Sequence, residues 1–552
     1  MRGLLVRNGK TLLSGIDPVR RAERAADAVS ISDRTLYFCP SVLYGYGLAR
    51  LLSRLEESAP SSAVLCAEAD PELFELTARN IDPALAADKK LLITNLSESQ
   101  LSSDAEALRQ IITLVSDTWG TRTFRRVETI RFTGGFQLFP ELYDSIYETL
   151  NRQIAADWSN ALTLARLGRL YICNALRNIS LTALFPSIAE LSFGDSPVLV
   201  LGAGPSLDEA LDSIFRDGRK TDMYNKPESR SFKIVCVDTC LGALKDRGIT
   251  PDLAVILESQ HWNMRDFVGC KGWKTNFAAD ISAFPASAQI LGGGGYLFFT
   301  PWTSLRIFKR LKSAGLLPAA VEPLGSVGLT AVALVRCLTG GKIICAGLDF
   351  SFTADRYHAR GTPGHRSKLN AHTRLSGFAN PAAYGECSFA AVSKSGGRVY
   401  TNPVMRKYRG LFEQEFGGDE RVFDIEGSGL SLGIKTLSMK EAIDALITGD
   451  NSSVCPRESV RPRADKSQLN RFYDSEKNRL IELRDMLCGE TEMNNTRLND
   501  LVDECDYLWA HFPDCASVRR PVPDEKFYTD VSFLKRVRVE LDSALRLISH
   551  FV

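Results

Sequence analysis

Residues 198–208 read Val-Leu-Val-Leu-Gly-Ala-Gly-Pro-Ser-Leu-Asp, and their reading decides the fold. Val198 to Leu201 form an unbroken apolar run, the pattern of a strand in a parallel sheet covered on both faces. Gly202 and Gly204 permit a tight turn and close approach of the backbone to a ligand. Ser206 is placed to open a helix, with Glu209 three positions on completing a capping box. Leu207, Ala210, Leu211, Ile214 and Phe215 give that helix a buried face. Strand, glycine turn and helix N-terminus together offer free N–H groups and a positive dipole end to a phosphate. The same residues also suit a tight turn without a ligand.

Later segments repeat the scheme. The strand Ile234–Val237 delivers Asp238 and Thr239 at its C-terminal edge, where ligands bind in open α/β sheets. Asp238 there is either a ribose acceptor or a cap for the residues that follow, and the polar stretch from Asp217 to Ser231 reads as a surface insertion. The strand Leu253–Leu257 ends in Glu258, Ser259, Gln260 and His261, the last a candidate catalytic group or a packed loop residue. Ser326 and Val327 open an apolar helix reaching Leu338, a second N-terminus suited to a carboxylate or phosphate. The strand Ile343–Ala346 then leads to Asp349. Beyond it lie Tyr357, His358, Arg360, His365 and His372. Gly361, Pro363 and Gly364 argue against a helix there and predict a flexible basic loop. Such a loop can carry a general base over an anionic substrate, or be merely solvated.

Outward from this centre, residues 1–158 alternate strands (Leu36–Cys39, Ala63–Ala67, Leu91–Asn95) with helices such as Leu48–Leu55. Glu68 follows the second strand, where a nucleotide-binding domain would hold a ribose. The first turn, Pro40 to Gly47, lacks the close glycine triplet, which favours a scaffold or docking role. Residues 159–190 suit connecting helices, 191–450 the central α/β domain, and 451–552 a helical tail entered through the polar stretch Asn451–Gln468. The expected class is α/β: two Rossmann-like parallel-sheet domains plus an all-helical C-terminal domain.

Composition narrows the function. Over 552 residues, Lys and Arg number 67 against 66 Asp and Glu, a net charge of +1. That balance argues against a broad grip on nucleic acid or anionic lipid. No apolar run approaches the roughly 20 residues needed to span a bilayer. The 13 cysteines are scattered without paired spacing and read as thiols of a reducing cytoplasm. The N-terminus lacks the apolar core of a signal peptide. A cytoplasmic protein, free of nucleic acid and membrane, is expected.

The stretches GAGPSL at 202–207, VDTCLGALKDRGITPDLAVILESQ at 237–260 and LGSVGLTAVALVRCLTGGKIICAGLDFSFT at 324–353 resemble the motility-associated factor (Maf) glycosyltransferases. So do GRVYTNPVMRKYRGLFEQEF at 397–416 and FDIEGSGLSLGIKTL at 423–437, and the match covers roughly residues 30–450. The central domain of that bacterial family is also described as 6-hydroxymethylpterin pyrophosphokinase-like, and its motif order is similar to bacterial sialyltransferases. The resemblance implies transfer of a nonulosonic (sialic- or pseudaminic-type) acid from a CMP-activated donor to Ser or Thr of flagellin, in support of flagellar assembly and motility. It implies that Gly202, Gly204, Pro205 and Ser206 hold the nucleotide phosphate, with Asp238 and Thr239 near ribose or base. Ser326 and Val327 would receive the sugar carboxylate. His358 is the first choice of base, with His365 and His372 as alternatives, and Tyr357 or Arg360 would assist the leaving phosphate. Glu258 and Asp349 leave a Mg²⁺ site open. Two departures stand out: Ala203 replaces the Asn of the sialyltransferases, and Glu258 replaces the Asp of many Maf relatives. The alternatives are ATP- and Mg²⁺-dependent pyrophosphoryl transfer to a hydroxymethylpterin, and a non-catalytic flagellin-binding accessory protein.

Overall fold

The parallel arrangement that Val198–Leu201 predicts is present twice. A computed structural model describes residues 5–13, 15–96, 104–215, 230–303, 305–375, 377, 380–447, 464–489, 495–512 and 530–551. The expected insertion, as far as residue 229, and the polar stretch 451–463 lie outside the described residues. The chain divides into one unit of residues 1–168 and 510–526 and a second of 169–509 and 527–552. The boundary falls within the helix Pro140–Asn178, not at residue 158.

The first unit begins with an antiparallel pair, β1 (Leu5–Arg7) and β2 (Lys10–Leu13). Strands β3 (Thr35–Pro40), β4 (Ala63–Glu68), β5 (Leu91–Asn95) and β6 (Arg126–Thr129) form a parallel sheet in the order β5-β4-β3-β6. Its expected ribose acceptor is spent internally. Glu68 is buried, accepting from Ser41 Oγ at 2.6 Å and from Tyr143 Oη at 3.2 Å.

The second unit holds an eight-stranded parallel sheet in the order β11-β10-β9-β8-β7-β12-β15-β16. These are β7 (Val198–Leu201), β8 (Lys233–Val237), β9 (Leu253–Ile256), β10 (Phe277–Asp280), β11 (Gly295–Phe298), β12 (Ile343–Ala346), β15 (Val422–Ile425) and β16 (Thr436–Leu437). The chain runs from β7 to β11 toward one edge, then returns to β12 on the other side of β7. That reversal puts the switch point between β7 and β12, the crevice where such sheets bind ligands. The helix Val327–Leu338 packs over β7, β8, β9 and β12, which is why it is apolar nearly all round.

Two features of this unit were not expected. An antiparallel hairpin, β13 (Phe389–Val392) and β14 (Arg398–Thr401), stands apart from the main sheet. The tail helices Lys466–Cys488, Asn495–Glu504 and Val531–Ile548 belong to this unit instead of forming a domain of their own. Glu476, fully buried, ties the first of them down by accepting from Arg310 at 2.6 and 2.9 Å and from Arg479 at 2.6 Å. At the other end of the chain's path, Asn174 donates to the carbonyls of Ser259 and Ser282, and Asn178 to those of Ile281 and Ala283. Four positions apart on one helix face, these amides fasten the loops that follow β9 and β10. Among the described residues no helix is long and apolar enough to cross a membrane.

Candidate functional site at the switch point

The glycine turn lies where the sequence puts it, but the donors of Ser206 are already used. Ser206 N–H donates to Asp349 Oδ2 at 2.8 Å, and the Ser206 hydroxyl donates to Asp349 Oδ1. The carboxylate expected as a metal ligand therefore occupies the position expected for a phosphate, at the start of the helix Leu207–Phe215. A carboxylate satisfies that end for the reason a phosphate would: both bring negative charge to unpaired amides. Burial nonetheless pushes the Asp349 carboxyl up from its ordinary value, with the Ser206 bonds opposing the shift. The glycines serve this closure. A Cβ on Gly204 would lie 2.5 Å from Asp349 Oδ2, and one on Gly202 2.5 Å from the Gly347 carbonyl. Close approach here is to the β12 turn. Pro205 sits inside the same turn, and the Ala203 carbonyl accepts the Ala359 amide at 2.9 Å.

The acidic groups are split into two places. Asp349 follows β12 and Glu258 follows β9, with β8 and β7 between those strands. Glu258 is exposed and faces instead toward Asp238 and Asp266. Asp238 is buried and raised to about 6 by desolvation, against the hydrogen bond from Thr239 N at 2.8 Å. The Asn263 amide also opposes the shift, although neither of its polar atoms, buried as they are, has a partner at hydrogen-bond distance. Asp266 is raised to about 7 by burial and then by the charges of Asp238 and Glu258. His261 is exposed with its ring against Trp262, 4.2 Å between centroids. Among the described residues no group of three His, Cys, Asp or Glu gathers to hold a metal.

Ser326 is the N-cap of Val327–Leu338 and makes no side-chain cap bond. Ser326 and Val327 are half-buried, so this helix start keeps backbone donors for an anion. Leu348 bridges the two turns, its Cδ2 lying 2.5 Å from the Cβ that Gly202 lacks and 2.7 Å from that of Gly328.

The expected flexible loop is ordered, and part of it is helical. Thr362 caps a helix, Pro363–Ala371, with Pro363 in the first turn, where its missing N–H has no partner to lose. Asp208 tethers the preceding turn: it accepts from Arg356 at 2.6 Å, from Arg247 at 2.7 Å and from the Arg360 amide at 3.2 Å. A cavity of about 350 Å³ opens here, lined by Arg356, Tyr357, His358, His365, Lys368 and Asn380 among others. His358 and His365 line it. His372 is the C-cap at the far, exposed end of the helix, and Arg360 points away with its side chain 66% exposed. Burial, then the charge of Lys368, lowers His358 to about 4, so its ring is neutral near pH 7. His365 is lowered too, chiefly by burial, and its Nδ1 accepts weakly from the Gly361 amide at 3.4 Å. Its neutral proton is assigned to Nε2 on that bond. Tyr357, its hydroxyl raised by burial, stacks on Phe352 at 4.8 Å.

Sequence reasoning missed Arg356, Lys368, Asn380 and Asp208. Lys368 lies three residues after His365, a spacing that speaks only once the helix is known. Asp208 and Arg356 are 148 positions apart, and no local signal joins them.

Residues 173–355 match the family model described as 6-hydroxymethylpterin diphosphokinase MptE-like. An uncharacterized protein of Treponema pallidum (strain Nichols) is 27% identical over 550 residues, covering 96% of this chain and 90% of its own. The solved structure of MAf glycosyltransferase from Magnetospirillum magneticum AMB-1 aligns with a TM-score of 0.50 at 16% identity, covering 98% of this chain and 84% of that one. The centre of the chain is thus similar to the MptE-like family, and the chain shares its fold with that solved structure.

Proposed function

We propose that the protein is a glycosyltransferase that moves a nonulosonic acid from a CMP-activated donor to Ser or Thr hydroxyls of flagellin. The cavity beside the switch point carries this reading: two cations, two histidines and a tyrosine line it, and among the described residues no carboxylate does. A donor bearing both phosphate and carboxylate calls for that inventory. His358 takes the proton of the acceptor hydroxyl as an oxocarbenium-like centre forms. Arg356, Lys368 and Tyr357 take the departing phosphate, replacing the Ser206 helix end and Arg360 in that role. The open helix start at Val327 receives the sugar carboxylate, and Asp238 and Thr239 the ribose. The likeness in fold to a structure named as a glycosyltransferase supports the reaction class.

The test is intact-mass measurement of flagellin from cells with and without this protein. Increments of nonulosonic acid units are expected, together with CMP release when purified protein, donor and flagellin are mixed. An unchanged flagellin mass overturns the reading. The name of the matching family model favours a second one, pyrophosphoryl transfer from ATP to a hydroxymethylpterin. That reaction releases AMP and needs Mg²⁺ to clamp the phosphates.

A further inference from the structure

One carboxylate sits where three segments meet after leaving the sheet by its C-terminal edge, behind β7, β8 and β12. Asp208 lies in the first turn of the helix Leu207–Phe215, where a negative charge suits the helix end. It is buried, and its donors come from elsewhere in the chain. Arg247, the C-cap of the helix Leu241–Asp246, donates at 2.7 Å and is itself fixed on the Ala243 carbonyl at 3.2 Å. Arg356 donates at 2.6 Å, and the Arg360 amide lies 3.2 Å from one carboxylate oxygen and 3.3 Å from the other. Arg356 and Arg360 stand two residues before and two after His358. Ala359 between them is buried and donates its amide to the Ala203 carbonyl at 2.9 Å.

The peptide that carries Tyr357 and His358 is thus pinned at both ends, and both side chains line the cavity. Asp208 also sets the attitude of Arg356. That guanidinium gives Nη1 to Asp208 and Nε to Asp355 at 3.1 Å, so Nη2 is the nitrogen left unbonded among the described residues. A guanidinium held in this way meets an oxyanion without first having to be ordered. Balancing a buried carboxylate takes one arginine. The second arginine and the amide bring the cavity wall to it.

We propose that Asp208 is a positioning residue of the transfer: through Arg356 and the Arg360 amide it holds the phosphate-binding cation and the His358 base in one fixed geometry. The proposal rests on the reading of the cavity as the transfer site. Asp208 itself touches neither the substrate nor the reacting atoms, and its effect reaches them through the segment it anchors.

Ring signals of the full-length protein, isotope-labelled at histidine, test this across a pH titration without any substrate. Burial lowers His365; the charge of Asp208 opposes that shift, and those of Arg356, Arg360 and Lys368 add to it. Asp208→Asn keeps the size but turns an amide nitrogen against one of the donors. In it the His365 midpoint is expected to move to lower pH and the His358 signal at pH 7 to shift. In Arg356→Gln the His365 midpoint is expected to move to higher pH. Asp246→Asn, which removes the partner of Arg366 on the same helix, is expected to leave both signals in place. With the CMP-activated donor and flagellin, kcat of Asp208→Asn is expected to fall about 10²-fold, the cost of a misplaced group. An unmoved His365 midpoint in Asp208→Asn overturns the proposal, and if that variant does not fold, an unmoved midpoint in Arg356→Gln does. Equal movement in Asp246→Asn overturns it, as does full kcat in Asp208→Asn. The expected signals in a parent that adds no sugar to flagellin remove the transfer reading and leave Asp208 as the anchor of the cavity wall.

Discussion

Asp349 and Ser206, 143 positions apart, close the switch point: the amide and the hydroxyl of one both donate to the carboxylate of the other. The chain thereby supplies its own anion to the helix that follows β7. Replacing Asp349 by Ala leaves the buried Ser206 amide without an acceptor. A loss of about 1–3 kcal/mol is expected in denaturant unfolding. Formate, the carboxylate that the change deletes, should raise the Tm of the variant and not of the parent. Equal Tm in parent and variant without formate would refute the closure.

Asp238 gives a pH signature of known sign. Its folded value of about 6 lies above the ordinary 3.8, so the native state holds a proton that the unfolded chain has released. Stability is full below about pH 4 and falls as pH rises through 6. Asp238→Asn should therefore stabilise by about 2–3 kcal/mol above pH 6 and by little at pH 4, while transfer activity drops. Chemical denaturation of both proteins across that range decides it.

Under the proposed transfer, His358, lowered to about 4, is expected to set the acid limb of the rate profile. The expected kcat/KM is flat through neutral pH and falls about tenfold per unit below pH 4. His358→Ala should lose about 10²–10⁴ in rate. Lys368→Met removes the neighbouring charge and should move the limb upward. A limb that Lys368→Met leaves in place argues for a different base.

Two glycines should respond with opposite signs. Gly204→Ala drives a Cβ against Asp349 and the Gly347 carbonyl and should cost about 3 kcal/mol or more. Gly410 lies in the helix Pro403–Phe416 with nothing within 4 Å of an added Cβ. Gly410→Ala should stabilise by about 0.5–1 kcal/mol. Thermal melts of both variants suffice.

What the sequence disclosed was local. The apolar run Val198–Leu201, the strand ending at Asp238 and the uncapped helix start at Ser326 all stand where their patterns put them, because each is set by neighbours within a few residues. Pro363 misled: a proline reads as a helix breaker, yet in a first turn it is a helix starter. Ser206 misled for another reason. Its pattern offers amides to an anion, and only the folded chain reveals that the anion is Asp349. The pairing of Asp208 with Arg356 and the docking of the tail on Arg310 are long-range events without a sequence period.

The amides of Asn174 and Asn178 reach carbonyls 85 to 108 positions further along the chain. The rim around Ser259 and Ile281–Ala283 is thus held from outside its own loops, by a helix whose last residue precedes the first strand of the sheet. Loss of either amide leaves two rim carbonyls without their donor, far in sequence from the change.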